Sequence, residues 1–237
     1  MAENEFTTME QFMQTVGLQI DDVAWTIGRT QTIRYASRYG QVDFQSAVLE
    51  YSVYVYRNSN WELLVTNRTG IIIFKMSVSR YTLGNDYFKR IFPSSDGSFL
   101  QVGTSAPVSH IFVIEKIPMI DGSYIRVVAA PSIRMLNSTI KVGSETKDYF
   151  KFYLPYLAQG EHPRRSQSIT IAGKGVSRVT ESGVDTVRIN VTFPNVGLGF
   201  DSAFFNFKST EETFDVPDDS IVEFYIGEVR VSLGLHA

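Results

Sequence analysis

Between Tyr51 and Val78 the chain reads YSVYVYRNSNWELLVTNRTGIIIFKMSV, three runs rich in β-branched and aromatic residues separated by Asn-Ser-Asn and Asn-Arg-Thr-Gly. Tyr51, Val53 and Val55 alternate with Ser52, Tyr54 and Tyr56, the period of a pleated strand, and the spacing predicts an antiparallel meander. Both faces of this first strand carry aromatics, so the alternation leaves its inward face open. Ile71, Ile72 and Ile73 break the alternation, as in a strand covered on both sides.

The same patterning predicts strands at Val108–Ile117, Tyr124–Ala130, Asp148–Leu157, Gln167–Ala172, Thr186–Phe193, Ile221–Ile226 and Glu228–Leu233. Asp121-Gly122, Gly173-Lys174-Gly175 and Gly197-Leu198-Gly199 are turn signals between them. Thr26–Gln45 reads as a polar connection. With no long helical pattern between strands, the expected fold is mainly β, an antiparallel β-sandwich. One or two further short helices are expected besides the N-terminal one, one of them at Asp86–Phe92, ended by Pro93.

Only the N-terminus has a clear 3.6-residue period. Met9, Phe12, Met13 and Val16 recur at helical spacing behind a Thr7/Glu10 capping box, and Gly17 supplies a C-cap. This predicts a short amphipathic helix of about ten residues, marginal alone and in need of a surface. The expected division is a helical arm over residues 1–20 and a single β-sandwich domain over residues 21–237. The pattern leaves open whether the helix covers its own subunit or a neighbour.

Composition narrows the functional classes. The chain has 237 residues, 43% hydrophobic and 20% charged, enough to bury a sizeable core. Its net charge is −3, and no Lys or Arg occurs before Arg29, so no basic arm is available to neutralise nucleic-acid phosphates. Arg164-Arg165 reads as a solvated loop. Cys is absent, so packing must supply what disulfides cannot. With no export signal or apolar run of about 20 residues, a cytosolic protein without a membrane partner is expected. Asn67-Arg68-Thr69, Asn137-Ser138-Thr139 and Asn190-Val191-Thr192 therefore read as turn and strand residues.

Candidate chemistry is sparse. His110, His162 and His236 have no second ligand at metal-site spacing, and no Gly-x-Ser-x-Gly elbow supports a catalytic triad. His110 reads as a core or interface residue of a strand, and His162 as a loop residue. Gly173-Lys174-Gly175 lacks the Walker pattern, and Asp21-Asp22 and Asp218-Asp219 read as caps or turns. No catalytic, cofactor-binding or metal site is assigned, and a non-enzymatic role is expected. The informative composition is 14 Arg against 8 Lys, together with 12 Tyr, the residue types favoured at interfaces. In strong alkali, 14 Arg facing 25 carboxylates and 12 phenolates approach a charge of about −23, which would drive an assembly apart.

Two blocks carry a family resemblance. Val53–Tyr56, the Asn-Ser-Asn turn, Leu63–Asn67 and Lys75–Leu83 form the first. Tyr149-Phe150-Lys151-Phe152-Tyr153-Leu154-Pro155 followed by Ser168-Ile169-Thr170-Ile171-Ala172-Gly173-Lys174-Gly175-Val176 form the second. In collinear order, with weaker echoes at Ala106–Ile117 and Phe224–Gly234, they resemble the cypovirus polyhedrins, which crystallise inside infected insect cells. Ser94–Ser105 and Ala158–Gln167 depart from that pattern.

The resemblance implies a β-sandwich subunit that forms homotrimers and then a crystalline lattice around virus particles, in occlusion bodies of the host-cell cytoplasm. It makes Met9, Phe12, Met13 and Val16 an assembly helix reaching a neighbour, so that removing residues 1–17 would spare trimers and abolish the lattice. Alkaline dissolution makes Tyr51, Tyr54, Tyr56, Tyr149 and Tyr153 candidate pH-sensitive residues. Nucleotide binding is associated with some polyhedrins, but no contact residue matches here and no cofactor is carried over. A virion capsid or matrix protein with a jelly-roll-like sandwich, and a carbohydrate-binding β-sandwich, are the competing expectations.

Overall fold

The computed structural model describes residues 1–94, 97–142, 145–162, 167–218 and 220–234; Arg164-Arg165, Asp219 and His236 lie outside the described residues. The chain opens with helix α1 (Ala2–Ala24), followed by β1 (Thr30–Arg34), β2 (Gly40–Arg57), β3 (Asn60–Ser77), β4 (Tyr87–Phe92) and β5 (Leu100–Val102). Next come β6 (Ser109–Glu115), β7 (Tyr124–Pro131), β8 (Ile133–Val142), β9 (Glu145–Gln159), β10 (Ser168–Ser182) and β11 (Thr186–Thr192). A 3₁₀ turn (Val196–Leu198), the one-turn helix α2 (Ser202–Phe205), β12 (Glu211–Asp215) and β13 (Ile221–Leu233) complete it.

The strands form a six-stranded sheet, β1-β10-β13-β9-β8-β5, and a seven-stranded sheet, β12-β11-β2-β3-β7-β6-β4. The fold is a mainly β sandwich in which two pairs, β13 with β9 and β5 with β8, run parallel. It has two hydrophobic cores. The first lies between the sheets and holds Tyr51, Val53, Val55, Ile71, Ile73, Phe152 and Phe224; the second holds Ile72, Phe74, Val127, Ile171 and Val231 beneath α1. Ile71 and Ile73 thus face one core and Ile72 and Phe74 the other, as the unbroken apolar run requires.

The predicted meander is a single long hairpin. Asn58 and Ser59 both have positive φ, 50° and 61°, matching the primed turn that suits strand twist. Asn67-Arg68-Thr69-Gly70 is no turn: Asn67, Arg68 and Thr69 pair with Tyr51, Glu50 and Leu49 inside β3. Thr69 Oγ1 there accepts the Leu157 N–H of the crossing sheet at 2.8 Å, so tertiary pairing overrides the local turn preference.

Other expected boundaries shift for similar reasons. Asp86–Phe92 forms no helix; Tyr87–Phe92 is edge strand β4, paired with β6 and packing Phe88 on Phe112 at a 5.3 Å centroid distance. Thr26–Gln45 contains β1 and the start of β2, and Gly173-Lys174-Gly175 is a bulge inside β10. The strands expected at Ile221–Ile226 and Glu228–Leu233 are one strand.

Helix α1 is more than twice its expected length, at 23 residues. Its buried stripe adds Phe6, Ile20 and Val23 to Met9, Met13 and Val16, while Phe12 lies on the flank with its ring 5.1 Å from Tyr35. Gly17 does not cap the helix. It sits inside it, where a Cβ would come 2.7 Å from Ile111 Cδ1 and 2.8 Å from Ser109 Oγ, so glycine permits close packing on β6. Thr7 likewise lies within the first turns, and Glu5 instead anchors residues 37–39 by accepting from Ser37 Oγ, Arg38 N and Tyr39 N. The apolar face expected to reach a neighbour is buried on its own chain.

Candidate functional site

The five tyrosines singled out from the sequence fall in three places. Tyr51 is fully buried in the first core, where its hydroxyl donates to the Pro131 carbonyl at 2.8 Å and burial pushes its ionisation well above the usual phenol range. It belongs to no surface contact. Tyr54 and Tyr56 lie on the outward face of the seven-stranded sheet, and Tyr149 and Tyr153 on the outward face of the six-stranded sheet.

On the six-stranded sheet, strand register creates an ordered row. Arg134 on β8 pairs with Tyr153 on β9, Tyr153 with Tyr225 on β13, and Tyr225 with Arg178 on β10. Period-2 alternation puts these four side chains on one face while Phe152, Phe224 and Val179 enter the first core. The Tyr153 and Tyr225 rings stack, and the Arg134 guanidinium lies 5.1 Å from the Tyr153 centroid.

The end of α1 closes over this row. Trp25 meets Tyr153 edge-on at 5.2 Å and donates Nε1–H to Asp21 at 2.8 Å, while Asp21 also accepts Arg134 at 2.8 Å. Asp22 pairs with Arg29. Both members of Asp21-Asp22 are therefore engaged with arginine. The backbone can lie this close because a Cβ on Gly227 would come 2.5 Å from the Ala24 carbonyl oxygen.

One strand step away, Glu223 is 7% exposed and accepts the Tyr225 hydroxyl at 2.9 Å, with Arg178 at 3.8 Å and Lys151 at 4.0 Å. Burial raises the ionisation of Tyr153, with Glu223 adding to it and Arg134 opposing it. Burial also raises that of Tyr225, and the hydrogen bond to Glu223 reinforces the shift. Tyr149 stacks beneath Lys151, 5.4 Å from its ring centroid. Nearby Tyr156 is pushed up to about 12 by burial and by Glu228.

The other aromatic cluster surrounds Arg188. Its guanidinium lies 4.1 Å from the Trp61 centroid and 5.1 Å from the Tyr54 centroid, and Trp61 packs on Tyr56 at 5.2 Å. Trp25, Trp61, Arg134, Arg188 and Tyr225 were not legible as site residues. Their local signal is only period 2, and what joins them is pairing between strands far apart in the chain.

Among the described residues no three His, Asp or Glu side chains are placed to hold a metal ion, and no helix is long and apolar enough to cross a membrane. His110 is buried on β6 with Nδ1 3.2 Å from Arg90, and His162 lies beside Phe44 at 6.0 Å. Lys174 of the glycine-rich bulge is exposed on β10. The chain matches no protein-family model, no curated protein and no solved structure.

Proposed function

We propose that this protein is a non-enzymatic structural protein that self-assembles into intracellular crystals, the matrix of viral occlusion bodies, embedding virus particles and dissolving in alkali. The observation that carries this reading is the Arg134–Tyr153–Tyr225–Arg178 row on an outward sheet face. Tyrosine and arginine are the residue types that anchor protein contacts. Here they are organised across four strands and pinned by α1.

The collinear resemblance of the Val53–Leu83 and Tyr149–Val176 blocks to cypovirus polyhedrins supports the same reading. So does the chemistry of alkaline release. Tyr51, Tyr153, Tyr156 and Tyr225 all hold their protons more tightly than free phenol, so the subunit resists moderately alkaline solution and accumulates strain when these groups finally ionise.

Expression of the full chain alone in insect cells tests the proposal. Refractile cytoplasmic crystals that persist at neutral pH and dissolve above about pH 10, where tyrosine and lysine titrate, are expected. Persistently soluble monomer in those cells would remove the proposal. Closed shells in electron micrographs would replace it with the capsid alternative.

A further inference from the structure

We infer that the outward face of the seven-stranded sheet around Arg188 is a docking surface for a second copy of this chain. The inference rests on the self-assembly reading and names where one contact lies. Strand register arranges the face in three rows across β12, β11, β2 and β3. Thr213, Arg188, Tyr54 and Leu63 form the central row. Asp215, Thr186, Tyr56 and Trp61 flank it on one side, and Glu211, Asn190, Ser52 and Thr66 on the other.

The centre of this face is what a buried contact requires and what an isolated subunit leaves incomplete. Leu63 is 57% exposed and Trp61 36%, and neither is covered by α1. Arg188 is held between Trp61 and Tyr54, and its Nε is buried with no hydrogen-bond acceptor. Among the described residues it meets no carboxylate. Among those residues its guanidinium meets the two aromatic rings, so a half-buried cation is left there without an anion.

The anions are on the same face. Glu211 and Asp215 point outward from edge strand β12, are exposed, and form no ion pair among the described residues. Among those residues the Glu211 carboxylate meets the Asn190 side-chain amide once that amide is oriented to donate, and Asp215 meets the Thr186 hydroxyl at 3.4 Å. A face carrying a central unpaired cation and a rim of unpaired carboxylates is complementary to itself. In a two-fold arrangement, each copy's Arg188 meets the other's β12 carboxylates, and Trp61 and Leu63 leave water. A small acidic ligand would satisfy Arg188 but leave Glu211 and Asp215 facing it. A nucleic-acid phosphate would likewise leave both carboxylates without a cation, which a second copy's Arg188 supplies.

Sedimentation velocity of the purified full chain over a concentration series tests this, with circular dichroism confirming that each variant is folded. Wild type is expected to associate. Arg188→Glu and Leu63→Lys should each raise the association midpoint by about thirtyfold or more, the loss expected for an arginine–aromatic hot spot. Mixing Arg188→Glu with a Glu211→Lys/Asp215→Lys variant should restore association that neither shows alone. Folded variants that associate like wild type overturn this surface while self-assembly stands. Wild type that stays monomeric, and forms no particles in cells, overturns both. Monomeric wild type that retains a soluble oligosaccharide through Trp61 also overturns the inference, in favour of a carbohydrate ligand.

Discussion

Tyr153 and Tyr225 stack across the parallel pair β9 and β13 with centroids 4.9 Å apart and ring planes within 9°. The stack has Arg134 on one side and a buried carboxylate, Glu223, hydrogen-bonded to the Tyr225 hydroxyl. Both phenols have folded-state ionisation raised above the unfolded value. Between the unfolded and folded values the native state binds more protons than the unfolded chain, so the stabilisation is complete below about pH 10 and is lost as pH rises beyond it. Urea midpoints should therefore be flat from neutrality to about pH 9.5 and fall above pH 10. Tyr225→Phe keeps the stack but removes the donor to Glu223. It should cost about 1 kcal/mol at neutral pH and make the alkaline fall shallower; an unchanged alkaline slope would show that Tyr225 does not contribute.

Tyr51 supplies the larger alkaline response. It is fully buried, its hydroxyl donates to the Pro131 carbonyl, and ionisation would place a phenolate within the first core. Its folded ionisation lies above the unfolded value, so its contribution too is present below about pH 10 and disappears as pH rises further. Tyr51→Phe should lower stability by about 1 kcal/mol at neutral pH, the worth of one hydrogen bond. It should then unfold less steeply than wild type above pH 11 in stopped-flow pH jumps. Alkali would in that case act through the core of the subunit.

A separate ionic chain holds β3 and β7. Arg126 has a completely buried side chain and pairs with Asp121 at 2.6 Å; Asp121 meets Lys75 at 3.2 Å, and Lys75 meets Asp43 at 2.6 Å. Asp121→Asn leaves the guanidinium with its carbonyl acceptors but without its counter-charge. The expected loss is about 2–4 kcal/mol, just below that of breaking a fully buried pair because Asp121 keeps some contact with water. Added salt should change the loss little, since buried pairs are weakly screened. Chemical denaturation at low and high salt measures both.

What the sequence disclosed was local. The Tyr51–Tyr56 alternation marked a strand, with the structure deciding that Tyr51, Val53 and Val55 face inward, and the Ile71–Ile73 run marked a strand between two cores, because both signals depend only on period. Asn67–Gly70 and Gly173–Gly175 misled for the opposite reason: turn-forming residues were pulled into long strands by partners elsewhere in the chain. Gly17 misled because its missing side chain serves the approach to β6, not a helix end. The aromatic rows were illegible as rows. Tyr153 and Tyr225 are neighbours only through a parallel pairing, and nothing in either segment announces it.

The helix provides the sharpest test of how the subunit is built. Removing residues 1–24 would strip the second core of Phe6, Met9, Met13, Val16, Ile20 and Val23, all buried. At about 1.5–3 kcal/mol for each large apolar side chain, that loss is comparable with the whole stability of a domain, about 5–15 kcal/mol. The truncated chain should therefore fail to fold, and not persist as a trimer that merely cannot crystallise. Met13→Ala separates the possibilities at lower cost. With the helix docked on its own chain, it should lower stability by about 2–5 kcal/mol by an amount independent of protein concentration. A helix exchanged with a neighbour would make that loss grow on dilution, because the second core would then be completed only in the assembly. Urea denaturation of wild type and Met13→Ala across a wide concentration range distinguishes the two, and a concentration-independent difference assigns α1 to its own subunit.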